Sequence, residues 1–200
     1  MQIIAHRINT ISALMTTPSQ YGVEVDIRSF GNQLIIHHDP FVQGENFELW
    51  LDKFDHKTLI LNVKEEGLES RLINLMKKKG IEDYFFLDQS FPFLIKWSNN
   101  GERRCAARVS EYESIDTALE LKGKIDWIWV DCFNELALTC TEAKLLKEAG
   151  FKLCLVSPEL QGRTEDRDII NIQTLIIERD IHFDAVCTKQ PLLWETFNNE

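Results

Sequence analysis

The 200-residue sequence has no apolar run approaching a membrane span, so no transmembrane helix is expected. It also lacks basic excess. Lys and Arg number 22 against 32 Asp and Glu, a net charge of −10. That balance argues against a general nucleic-acid binder, which would carry a basic face. It leaves open a phosphorylated substrate, which a bound cation and a few local basic groups can hold. Cysteine is sparse and unpaired in pattern: five residues, scattered, with no CxxC. Thiolate metal clusters are therefore not expected, and reduced, mostly buried thiols of a cytoplasmic protein are. No low-complexity or Pro-rich stretch suggests disorder. No basic region and apolar stretch precede the first strand-like residues, Met1 to His6, so no secretory leader is expected. The turn after that first run is His6-Arg7-Ile8-Asn9, without the glycines of a dinucleotide-binding turn.

What the chain does have is alternation. Short runs rich in Val, Ile, Leu, Phe and Trp occur at Gln2–Ala5, Val23–Asp26, Thr58–Lys64, Tyr84–Asp88, Arg104–Val109, Trp127–Asp131, Lys152–Ser157 and Asp184–Thr188. Helical spacing appears between them, over Leu68–Lys79 before Gly80, Thr141–Ala149 before Gly150, and Asp168–Arg179, with shorter segments at Phe93–Ser98 and Ser114–Leu121. Eight β/α units without a linker predict an α/β protein, a single compact (β/α)8 TIM barrel spanning residues 1–200. An open doubly wound sheet is the alternative. The run Gln33–His37 follows the second strand too closely for a helix, so Ser29–Asn32 reads as a turn and Gln33–His37 as a short extra strand in the loop after strand 2.

Active sites of such barrels lie at the C-terminal strand ends. The polar residues there are His6-Arg7, Glu24-Val25-Asp26, His38-Asp39 and Asn62-Val63-Lys64. Glu24 and Asp26 alternate onto one strand face. Two carboxylates packed together inside a barrel need a counter-charge, either a divalent cation such as Mg2+ or Ca2+ or a basic partner among Arg7, Arg28 and Lys64. Asn62 can offer a carbonyl oxygen to the same metal, and Lys64 can hold a phosphate oxygen or simply be solvated. His6 and His38 can form an acid–base pair. His37 should face away from it, and His56 and His182 precede strands at the opposite end. Asp88, Glu111, Asp131 and Glu159 are further strand-end candidates for specificity, and Trp129 reads as barrel packing.

This ordered set resembles the glycerophosphodiester phosphodiesterase family. The likeness rests on His6-Arg7 after the first strand, Glu24-Val25-Asp26 closing the second, and His38-Asp39 a dozen residues later, with an echo in Asp184-Ala-Val-Cys-Thr188-Lys-Gln-Pro191. It implies a barrel, one divalent cation (Mg2+ or Ca2+), and hydrolysis of a small phosphodiester of the kind met in lipid metabolism. By that likeness His6 and His38 are the catalytic acid–base pair, Glu24 and Asp26 bind the metal, and Arg7 contacts phosphate; the strand-face reading adds Asn62 to the metal and Lys64 to the phosphate. Three positions depart from the pattern. Ile8 stands where the family has Gly, Asn62 where it has a metal-binding Glu, and only Pro40–His56 replaces a larger covering segment. Phe41, Phe47, Leu49 and Trp50 in that segment either line the site or pack on the rim. The Ile8 and Asn62 departures motivate one alternative, a barrel that binds a phosphorylated ligand without cutting it; a different barrel reaction, such as that of a related lipid phosphodiesterase or an acid–base isomerase, is the other.

Overall fold

The computed structural model describes residues 1–199, which divide into two compact units, Ala5–Trp97 and Met1–Ile4 with Ser98 onward. The Ala5–Trp97 unit begins at the end of β1 (Gln2–Ala5), followed by α1 (Ile11–Thr16). Thr10 caps α1, its hydroxyl accepting from Ala13 N–H. β2 (Gly22–Phe30), β3 (Gln33–Ile36) and β4 (Glu45–Asn46) form an antiparallel run. After α2 (Phe47–Leu51), β5 (Leu59–Val63) pairs parallel with β2, and α3 (Glu69–Lys79) leads to β6 (Tyr84–Leu87), parallel to β5. α4 (Phe91–Asn99) follows. The strand order in this unit is β4-β3-β2-β5-β6.

Ser29–Asn32 is not all turn. β2 continues through Phe30, which pairs with Gln33, leaving Gly31 and Asn32 as the two-residue hairpin loop. Gly31 takes φ 59°, the left-handed value such a tight loop requires. β3 ends one residue earlier than expected, at Ile36, so His37 lies outside the strand.

The second unit contains β7 (Ala106–Val109), α5 (Ile115–Leu119), β8 (Trp127–Val130), α6 (Cys140–Glu148), β9 (Lys152–Val156), a 3-10 turn (Pro158–Gln161), α7 (Asp166–Glu178), β10 (Ala185–Thr188) and α8 (Pro191–Asn199). Its strand order is β1-β10-β9-β8-β7, with parallel pairing along β10-β9-β8-β7. All eight main strands read from the sequence are present, with ends shifted by a few residues.

Strands buried on both faces explain the near-continuous apolar runs. In β2, Val23, Val25 and Ile27 are wholly buried, and so are Glu24 and Asp26 on the alternate positions. Four cysteines are buried, whereas Cys140 at the start of α6 is exposed, so burial does not extend to every thiol. Burial pushes the Cys132 thiol up to about 12 and raises Cys154 as well.

Candidate active site

The parallel register of β2 and β5 sets Asp26 beside Asn62 and Glu24 beside Ile60. Both acids are fully buried. Each Glu24 oxygen accepts one hydrogen bond: Oε1 from Asn62 Nδ2 at 2.8 Å, and Oε2 from the Arg7 backbone N–H at 2.7 Å. His6 Nε2 lies 3.7 Å from Oε2. Asn9 grips Asp26 at two points. Its amide donates to Oδ2 at 2.7 Å, and its Oδ1 accepts the Asp26 backbone N–H at 3.0 Å. Arg7 Nε stands 3.6 Å from Oδ2 and Lys64 Nζ 3.4 Å from Oδ1. Lys64 is not solvated. It is 16% exposed and donates to Asp88 Oδ2 at 2.9 Å.

Burial first, and the charge of Asp26 second, push Glu24 up from 4.5 to about 7, against the lowering effects of the Asn62 and Arg7 hydrogen bonds and of Lys64. The pocket therefore favours either a proton or additional positive charge. Asn62 Oδ1, buried, accepts no hydrogen bond, and Asp26 Oδ1 has only the Lys64 ion pair. Among the described residues no three His, Cys, Asp or Glu side chains gather into a metal-binding group. The donors are instead two carboxylates and one amide oxygen. All are hard oxygens, a set that fits a Mg2+- or Ca2+-like ion keeping part of its hydration shell.

His38 sits just beyond β3, and its Nδ1 is 2.8 Å from Asp39 Oδ1. That hydrogen bond from His38 holds the Asp39 carboxyl below the usual carboxylate range. A cavity of about 750 Å3 brings His38 and Arg7 to a common space, with Asn9, Glu45 and His37 also on its wall. The expectation that His37 is a bystander facing the other way is therefore corrected: because β3 ends at Ile36, strand alternation no longer governs it.

Arg28 was a candidate partner for the acids and serves elsewhere. Its Nε and Nη2 donate to the His38 carbonyl at 3.0 and 2.8 Å, and Nη1 to the Lys64 carbonyl at 3.2 Å, tying together the two loops that carry those side chains. In the short cover, Phe47 and Trp50 are buried, and Trp50 Nε1 donates to the Ile8 carbonyl, so these two pack on the rim. Phe41 is fully exposed. Arg7, Phe41 and Asp88 all have positive φ, at 55°, 62° and 61°. Backbone held in this region by non-glycine residues is strained, and such strain gathers at functional sites. The sequence offered no signal for Asn9, since its partner lies seventeen residues away. Arg28 was signalled weakly, as the next residue after Asp26 on the same strand face.

The remaining strand-end candidates belong to the other unit and are committed internally. Glu159 accepts from Ser157, from Thr188 Oγ1 at 2.6 Å and from Lys189 N–H at 2.8 Å. Asp131 accepts from Gln161 and pairs with Arg108 at 2.9 Å. Glu111 accepts the backbone N–H groups of Phe133, Asn134 and Glu135.

No protein-family model and no curated protein matches the sequence. Among solved structures, the chain is similar to the crystal structure of a glycerophosphodiester phosphodiesterase from Agrobacterium tumefaciens, with a TM-score of 0.68 over 100% of both chains at 13% identity. The chain thus has the (β/α)8-barrel fold of that enzyme.

Proposed function

We propose that the chain is a metal-dependent phosphodiesterase of the cytoplasm that hydrolyses a glycerophosphodiester-like or sugar-linked phosphodiester. The observation that carries this reading is the buried Glu24–Asp26 pair with His6, Arg7 and Lys64 each 3.4–3.7 Å from one of its oxygens. The barrel shared with the Agrobacterium enzyme agrees with it. Glu24, Asp26 and Asn62 would hold Mg2+ or Ca2+, which would stabilise negative charge developing on the phosphoryl oxygens. Arg7 offers a planar fork to the phosphate, and Lys64 a point charge anchored by Asp88. A carboxylate only accepts, so Asp39 keeps a proton on His38 Nδ1 and leaves Nε2 to exchange one. One of His6 and His38 takes the proton of the attacking oxygen, and the other protonates the departing alcohol. The new P–O bond forms from water, the old one breaks, and a phosphomonoester and an alcohol result.

A second reading, binding without cleavage, is favoured by one contact. The Asn62 amide occupies Glu24 Oε1, where the family's Glu would repel it and recruit a cation. Hydrolysis of bis-(p-nitrophenyl) phosphate with Mg2+, Ca2+, Mn2+ or EDTA separates the two. The enzyme reading expects metal-dependent turnover that His6→Ala and Glu24→Ala each lower by about 10^2 or more. No turnover with any cation, together with calorimetry showing no cation binding, would favour the second reading.

A further inference from the structure

Asn9 meets Asp26 with both ends of its amide. The Asp26 backbone N–H can only donate, so the atom it reaches at 3.0 Å is the Asn9 oxygen. The Asn9 nitrogen therefore faces Asp26 Oδ2, at 2.7 Å, and turning the amide over would lose both bonds. Further contacts fix the turn that carries Asn9. The Ile8 N–H donates to the Glu24 carbonyl at 2.9 Å, which lays the turn along β2. Trp50 Nε1 donates to the Ile8 carbonyl at 3.1 Å, and Glu45 Oε2 accepts the Ile11 N–H at 2.7 Å. The place of Asn9 is thus set by anchors other than the Asp26 carboxylate.

That carboxylate is wholly buried, and among the described residues the Asn9 amide is its one hydrogen-bond donor. Its other neighbours are cations at ion-pair range, Arg7 Nε at 3.6 Å from Oδ2 and Lys64 Nζ at 3.4 Å from Oδ1. Charges at such distances attract a carboxylate without fixing its plane, whereas a short hydrogen bond is directional. Asn9 therefore decides which oxygen is committed. Oδ1 is the one left without a hydrogen bond, on the residue that the strand register sets beside Asn62, whose own Oδ1 also accepts none. Carboxylates that bind metal ions are commonly held by such a donor.

We propose that Asn9 is a positioning residue for Asp26: by holding Oδ2 it presents Oδ1 to the cation that Glu24, Asp26 and Asn62 would share. The proposal rests on the metal-dependent reading of the site. Calorimetric titration with Mg2+, Ca2+ and Mn2+ tests it on wild type, Asn9→Ala and Trp50→Phe. Asn9→Ala raises the cation Kd about 10- to 100-fold, the usual cost of losing a partner that orients a metal ligand. Trp50→Phe takes the donor from the Ile8 carbonyl and loosens the same turn without touching Asp26. It lowers the thermal midpoint and leaves Kd within about twofold, because no contact of the carboxylate is lost. In bis-(p-nitrophenyl) phosphate hydrolysis, Asn9→Ala needs about 10- to 100-fold more cation for half-maximal turnover, and saturating cation restores most of kcat. Asn9→Ser, one bond shorter and unable to span both Asp26 groups, replaces Asn9→Ala if the latter does not fold, with a rise in Kd of the same order. An unchanged Kd in the Asn9 variant, or an equal rise in Trp50→Phe, would overturn the proposal. If wild type binds none of the three ions, the metal-dependent reading fails, and crystal structures of wild type and Asn9→Ala decide the orienting role alone. In the variant Asp26 Oδ1 must then leave its 3.4 Å approach to Lys64. A carboxylate that stays in place refutes the role.

Discussion

The two units treat the polar residues at their strand ends differently. In the second unit the buried carboxylates Glu159 and Asp131 have close protein partners, although Asp131 Oδ2 has an ion pair and no hydrogen bond. Glu159 has two hydroxyls and a backbone N–H, and Asp131 has an arginine and an amide. In the Ala5–Trp97 unit the match is incomplete. Glu24 is held near neutrality by burial and by Asp26, and Asn62 Oδ1 accepts nothing. Satisfied polar groups rigidify a fold. Groups left with spare oxygens or proton affinity are suited to bind a cation and move protons. Under the proposed function, this difference gives one set of acids a structural role and the other a chemical one, although both are strand-end candidates by sequence.

The largest effect expected is on turnover in the first unit. His6→Ala or His38→Ala should lower kcat by about 10^2 to 10^4, the usual contribution of one acid–base group. His38 and Asp39 are both well exposed, so His38→Ala leaves no buried acceptor without its donor and should move the midpoint of thermal unfolding by only about a degree or two. Unfolding of either variant at room temperature would break the comparison, because the imidazoles would then be structural.

The converse applies to Glu159→Ala. It strips partners from Ser157, Thr188 and Lys189 N–H, all in a buried cluster with Trp194 Nε1 bonded to Ser157 Oγ. Denaturant unfolding should show a loss of about 3–5 kcal/mol. Activity per folded molecule should stay within about twofold if the cluster is only a scaffold. A stable, inactive Glu159→Ala protein would move part of the chemistry into the second unit.

Much of this division was legible in the residues. Glu24, Asp26 and His6 announce themselves by strand alternation and by closing apolar runs. The eight main strands stand out because both faces are apolar. Other features depend on interactions that sequence spacing does not encode. α1 and α2 have six and five residues, too short for helical periodicity to emerge. Ser29 and Phe30 read as turn residues, yet pairing with β3 keeps them in the strand. Strand alternation points His37 away from the site, but β3 ends at Ile36, one residue before it, so alternation does not set its direction. The internal commitment of Glu159 depends on Thr188, twenty-nine positions away, and no local pattern signals it.

The smallest effect tests the comparison at its origin, the uncompensated charge of Glu24. With its pKa raised from 4.5 to about 7, the folded chain binds this proton more tightly than the unfolded chain does. Its contribution to stability is therefore full below about pH 4.5 and is lost as pH rises through about 7. The shift bounds the loss at about 3 kcal/mol, and relaxation around the ionised pair should reduce it to about 1–2. Glu24→Gln removes the titrating group while keeping an acceptor for the Arg7 N–H or the Asn62 amide. Its own amide gains Asn62 Oδ1 as a partner. In EDTA at pH 8 the variant should be more stable than wild type by about 1–2 kcal/mol, and at pH 4.5 the two should be nearly equal. Millimolar Mg2+ or Ca2+ should raise wild-type stability at pH 8 and leave Glu24→Gln nearly unchanged, because only the ionised pair offers a cation two full charges. If wild type is instead the more stable protein at pH 8 without a cation, then Lys64 and Arg7 already neutralise the pair, and the acids of the two units are equally well satisfied.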